Sequence, residues 1–188
     1  MKKSTMILIV LVAIILLVGG SFISSYNKLI DLNEQVDNQS SNIDTQLERR
    51  LNLIPNLVNT VKGYTNHETE TIELITKARE NLLKANGIEE KAKGNEELSE
   101  AIDALMVIVE NYPDLKADTQ FTNLQDELSG TENRIAIARK EYNEAVKSYN
   151  KAIKQIPNNI IASIFNFEEK NYFESKEEAK TTPEVNFD

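Results

Sequence analysis

The sequence predicts an all-α protein: a long antiparallel up-and-down four-helix bundle carried by an N-terminal transmembrane helix. Three observations predict it. Met6 to Ile23 is an uncharged, strongly apolar run. Beyond it, apolar residues recur in steps of three and four over stretches too long for strands. No segment alternates with period two, and glycine and proline fall mostly at the joints between helical runs.

Residues 1–25 are read as an anchor. Lys2 and Lys3 precede "MILIVLVAIILLVGGSFI". At 1.5 Å per residue this run reaches roughly 27 Å, enough to cross a hydrocarbon core. A cleaved secretory signal is the competing reading, with Gly19 and Ser21 as its small residues. Against it, the run is long for a signal core and lacks an A-x-A-type site. The helical pattern also resumes directly after Ser25. Asp31, Glu34 and Asp37 follow the run, with only Lys28 among them. The positive-inside rule then places the N-terminus in the cytoplasm and the remaining chain outside a cell membrane, crossed once.

Residues 26–157 are read as the bundle. The first helix, about 26–62, carries the stripe Leu29, Leu32, Val36, Ser40, Ile43, Leu47, Leu51, Ile54, Leu57 and Val61. Pro55 lies inside it; the stripe continues, so the helix is expected to bend rather than stop. The proline removes the usual partner of the Leu51 carbonyl. Gly63 ends the helix. The second helix, about 65–86, turns Ile72, Ile75, Ala78, Leu82 and Ala85 inward. "NGIEEKAKGNEE", Asn86 to Glu97, reads as a polar loop. The third helix, about 96–111, carries Leu98, Ala101, Ile102, Leu105, Ile108 and Val109. Pro113 is expected to end it, with Asp114 capping a fourth helix over about 115–156. That helix carries Phe121, Leu124, Leu128, Ile135, Ala138, Tyr142, Val146, Tyr149 and Ile153. Residues 158–188 give one short helix around Ile160, Ile161, Ile164 and Phe165, then a charged tail. Phe165, Phe167, Tyr172 and Phe173 either dock on the bundle end or form a partner-facing patch.

Composition narrows the functions. Past the anchor, 30 acidic residues face 19 basic ones, a net charge of −11. Such a surface repels phosphate backbones, so no nucleic-acid partner is expected. With 0 cysteines, disulfides, thiol catalysis and thiolate metal sites are excluded. His67 is the one histidine; Glu68 and Glu70 do not share its helical face, so it reads as a helix-start residue. No catalytic motif, phosphate loop or metal loop is present, and no cofactor is expected. Glu89–Glu90, Glu96–Glu97 and Glu177–Glu178 read as solvated charge. Arg49 and Arg50 flank the stripe, and Arg50 is expected to pair with Glu132 or Glu141; a binding role is the alternative. Tyr142 and Tyr149 share one helix face, as core tyrosines or as the wall of a groove.

Several blocks taken together resemble the LemA family. They are "YNKL", "IDTQLERRLNLIPNLVNTVKGYTNHE", "TKARENL", "ENYPDLKADTQFTNLQDELSGTENRIAIARKEYNEAVKSYN", "FNFEEKNYFE" and "PEVNF", in one order from residue 26 to 187. The resemblance implies a bacterial-type membrane protein with one N-terminal span and a four-helix bundle. It implies no active site. Three positions depart from the family pattern: Ser40 or Ser41 where a tryptophan is expected, Asn52 for aspartate, and Asn166 for glycine. The reading is a non-catalytic scaffold or adaptor, bound to lipid through residues 6–23 and to another membrane or envelope protein. An extracytoplasmic sensor or ligand-binding domain acting through a separate signalling partner is the alternative. Arg49, Arg50, Pro55, Tyr142, Tyr149, Phe165 and Phe167 are the candidate structural or partner-binding residues.

Overall fold

In the computed structural model, residues 3–65 and 68–174 are described, with side chains from Ile7 onward. His67, the pair Glu177–Glu178 and Pro183 lie outside the described residues. The described residues form six helices and no strand: α1 (Lys3–Lys62), α2 (Thr69–Lys84), α3 (Ile88–Val109), α4 (Pro113–Lys116), α5 (Thr119–Lys154) and α6 (Asn158–Phe165). They separate into two compact units. One comprises Met1–Gln39 with Asn143–Lys170, the other Ser40–Tyr142 with Asn171–Asp188. α1 and α5 each contribute to both.

In the larger unit, α1 supplies Ile43, Leu47, Leu51, Ile54, Leu57 and Val61, all buried. Ile72, Ile75, Ala78 and Leu82 of α2 join them, as do Leu98, Ala101, Ile102, Leu105 and Val109 of α3. Phe121, Leu124, Leu128, Ile135, Ala138 and Tyr142 of α5 complete the core. Burying each large apolar side chain contributes about 1.5–3 kcal/mol. Thr131 falls in the α5 stripe between Leu128 and Ile135 and is fully buried. Its hydroxyl is satisfied within its own helix, donating to the Glu127 carbonyl at 2.8 Å. A polar residue is therefore tolerated at a core position.

The helix ends differ from the sequence expectation in three places. α3 starts at Ile88, so most of the expected polar loop 86–97 is helical. The turn is confined to Ala85–Gly87, where Gly87 takes φ 103°, a conformation glycine adopts without strain. Gly94, which reads as a loop glycine, lies inside α3 because α2 comes very close. A Cβ there would stand 3.0 Å from Leu82 Cα. Thr65 closes α1 rather than opening the next helix. Its N–H donates to the Val61 carbonyl at 3.1 Å and its hydroxyl to the same oxygen at 3.2 Å.

Pro113 starts the short helix α4 at a position where a missing N–H costs nothing. Leu115 of that helix is fully buried. The cap of α5 is Asp118, not Asp114. Asp118 Oδ1 accepts the Phe121 N–H at 2.8 Å.

In the smaller unit, Leu29 and Val36 of α1 and Val146, Tyr149, Ala152 and Ile153 of α5 are buried with Ile161 and Ala162 of α6. Asn158 Nδ2 donates to the Ala152 carbonyl at 3.2 Å, tying the start of α6 to the end of α5. α6 ends at Asn166, with φ 55° and ψ 44°. That left-handed position explains why the family resemblance expects glycine there; asparagine is the side chain that tolerates it best.

Candidate functional site

Pro55 and the arginines define the most specific polar geometry of the larger unit. α1 passes unbroken through Pro55. The Leu51 carbonyl, which a proline four residues on cannot serve, accepts Arg79 Nε from α2 at 3.1 Å. A side chain from a neighbouring helix thus replaces the missing backbone donor. The sequence marks the orphan carbonyl but not its partner, which lies 28 residues away.

Arg49 and Arg50 have opposite environments. Arg50 is only 2% exposed. Its Nη1 donates to Asn95 Oδ1 on α3 at 2.7 Å. The hydrogen bond thus goes to a neutral acceptor, while Glu132, one of the two carboxylates expected as its partner, acts on Arg50 through its charge. Burial pushes the guanidinium pKa below its usual value, opposed by the charges of Glu132 and Asp103. The Nε of Arg50 is buried without a hydrogen-bond partner. Arg49 stays in solvent, 4.0 Å from Glu127 across to α5. Such an exposed pair is worth little. Lys91 of α3 makes a closer contact with Asp44 of α1, at 2.6 Å.

Two tyrosines missed in the sequence reading anchor the helix ends of this unit. Tyr64 donates to Asp118 Oδ2 at 2.8 Å, and Tyr112 to Glu68 Oε1 at 2.9 Å. These carboxylate acceptors are the leading reason that both phenol pKa values are raised. The Asp118 carboxyl is lowered, first by the Phe121 N–H and then by Tyr64. A groove of about 610 Å3 runs beside Glu68, with Lys62, Ile72, Glu73 and Lys77 among its walls. Its charges are mixed. Among the described residues, no group of three or more His, Asp or Glu side chains converges to hold a metal ion.

The segment after α6 is held to α5 by Tyr142, a candidate from the sequence, and by Asn150, which the sequence does not mark. In the larger unit, Tyr142 donates its hydroxyl to the Asn171 carbonyl at 2.9 Å, and Phe173 is buried. In the smaller unit, Asn150 grips the Lys170 peptide from both sides. Its Nδ2 donates to the Lys170 carbonyl at 2.8 Å and its Oδ1 accepts the Lys170 N–H at 2.9 Å. Tyr149 is buried beside it, and burial, then Asp37 and Glu168, raise its phenol pKa. Phe165 and Phe167 gather round α1. Ring centroids lie 4.7 Å apart for Tyr26–Phe165, 6.0 Å for Tyr26–Phe167 and 6.2 Å for Phe22–Phe165.

A family model described as the LemA family matches residues 39–187. The chain belongs to the LemA family. The match contains Pro55, both arginines, α6 and the segment that Asn150 and Tyr142 hold. The chain is similar to magnetosome protein MamQ 2 of Paramagnetospirillum magneticum, 27% identical over 88% of this chain and 72% of that protein. Magnetosome protein MamQ of Magnetospirillum gryphiswaldense is 27% identical over 85% of this chain and 70% of its own length. Protein LemA of Metamycoplasma hominis is 28% identical over 83% of this chain and 72% of its own. The LemA match begins after the apolar N-terminal segment. That segment is part of a helix long and apolar enough to cross a membrane, with mean hydropathy 2.9 over its most apolar stretch.

Proposed function

We propose that this LemA-family protein is a single-pass, membrane-anchored, non-catalytic scaffold or adaptor that binds another membrane or envelope protein. One observation carries the anchor. Ile7 to Ile23 turn their apolar side chains outward all round, whereas from Leu29 the same helix buries a single stripe. An all-round apolar helix surface suits lipid, not water. Lys2 and Lys3 before the span, and the acidic excess after it, support a cytoplasmic N-terminus and an extracytoplasmic domain. The binding surface belongs to the larger unit, where Leu74, Leu83, Val107 and Ile137 are exposed apolar residues on otherwise polar helix faces. The proposal invokes no cofactor and no nucleic acid.

Crosslinking in intact cells, followed by affinity purification from solubilised membranes, tests the scaffold. A distinct membrane or envelope protein should be recovered stoichiometrically. Repeated recovery of this chain alone would defeat the reading. Protease added to intact cells should digest the larger unit; its protection would reverse the orientation.

A further inference from the structure

We propose that α6 and the turn before it form a second membrane element, seated in the bilayer leaflet from which α1 emerges, with Ile156 of the turn and Ile160, Ile164 and Phe165 of α6 against lipid. The inference rests on the reading of the α1 segment as a span and adds a contact that does not cross the bilayer.

Depth is the first argument. α6 packs beside the last part of the apolar run. A cavity of about 500 Å3 lies between Leu17, Val18 and Phe22 of α1 and Pro157, Ile160 and Ile161. Leu17 is six residues before Ile23, about 9 Å along the helix axis. Helices lying in the interface bury their apolar face by about 5–10 Å. If Ile23 is near the edge of the hydrocarbon, α6 is at acyl-chain depth.

Charge is the second. From Gln155 to Phe167 no residue is charged, in a chain whose residues are 27% charged. Charge returns immediately at both ends of this loop, and the two ends are joined. Lys154 Nζ pairs with Glu169 Oε2 at 2.7 Å. Lys170 pairs with Asp37 of α1 at 3.4 Å. The ion pairs thus stand on the side of the loop away from the apolar run.

Orientation is the third. Ile161 and Ala162 face the protein, but Ile160 is 57% exposed, Ile164 60% and Ile156 84%. Ile160 and Ile164, four residues apart within α6, lie along one line of that helix, and Ile156 is exposed in the turn that precedes it. This outward face continues the outward apolar surface of Ile7–Ile23, the surface already assigned to lipid. Tyr26, Phe165 and Phe167 cluster between the apolar surface and the ion pairs, where aromatic side chains collect at a membrane boundary. A second contact beside the span would fix the rotation of α1 about its own axis in the bilayer.

The chain has 0 cysteines, so single cysteines report cleanly. Ile160→Cys and Ile164→Cys are compared with Leu11→Cys in the span and Val107→Cys in the larger unit. Each full-length variant carries an environment-sensitive fluorophore and is reconstituted, one chain per nanodisc, in phosphatidylcholine with a minority of phosphatidylglycerol. All four side chains are mostly exposed, so these changes leave the packing intact. Labels at 160, 164 and 11 should lose most of their emission to lipids brominated on the acyl chains and resist aqueous iodide. The label at 107 should do the reverse. Iodide quenching at 160 and 164, with lipid quenching retained at 11, overturns the inference and leaves the span standing. Shielding at 160 and 164 from both quenchers assigns the face to protein and also overturns it. Iodide quenching at 11 removes the span, and the inference with it.

Discussion

α1 is one helix with two surfaces. Between Ile7 and Ile23 its apolar side chains point in every direction, and none is buried. Between Leu29 and Val61 it buries one stripe and leaves the other faces polar. Backbone geometry is common to both halves; the difference is what covers the apolar surface. In the second half other helices cover it, so each apolar residue contributes through packing. In the first half α6 touches it at Leu17–Phe22, and most of its apolar surface contributes only when lipid covers it.

The largest effect should separate these halves directly. Ile54→Ala removes a buried core side chain and should destabilise the fold by about 2–5 kcal/mol. Ile9→Ala changes an exposed one and should alter stability in detergent by less than about 0.5 kcal/mol. Denaturant melts of the two purified variants check this, and equal losses would break the comparison. Neighbouring arginines sharpen it within the packed half. Arg50→Ala should cost about 2–4 kcal/mol, from lost packing and an unpaired Asn95. Arg49→Ala should cost less than about 1 kcal/mol.

Glycines give the next smaller contrast. Gly94→Ala forces a Cβ against Leu82 and should destabilise by about 1–3 kcal/mol. Gly20→Ala meets open space within 4 Å and should be neutral or mildly stabilising by thermal melting. Smaller again is the coupling between Pro55 and Arg79. Arg79→Ala leaves the Leu51 carbonyl unserved and should cost about 1 kcal/mol. In Pro55→Ala, where a backbone N–H is restored, the same change should cost clearly less; a double-mutant cycle reads the difference.

The smallest effect is a pH response confined to the packed region. The folded-state pKa of Asp118 is lowered, so its contribution is complete above the unfolded carboxylate value, about 3.9. It is lost as pH falls through the lower folded value. Asp118→Asn should therefore flatten the acid limb of the melting curve. The chain lacking residues 1–25 should keep that limb unchanged, since those residues include no Asp or Glu.

Much of the helical core was legible. Every α5 position assigned to the stripe is buried, and in α1 only Leu32 and Ser40 fall short of full burial. Gly94 was not, because the reason for that glycine is Leu82 on another helix. Asp118 was displaced by Asp114 as the expected cap, because Pro113 starts a turn of helix instead of only ending one. The site residues were legible as positions but not as partners. Arg50 was expected to meet a carboxylate and meets Asn95; Asn150 gave no signal beyond following Tyr149.

The sequence by itself determined the helical class, the apolar segment fit to cross a membrane, the buried stripes and the LemA family. These follow from the 3.6-residue period and from residue identity, which are local properties. Only the tertiary structure decided that Arg79 serves the carbonyl freed by Pro55, that Asn150 clamps Lys170, and that α6 lies against Leu17–Phe22. Those partners are set by which helix surfaces meet, and chains far apart in sequence meet only once the core has packed.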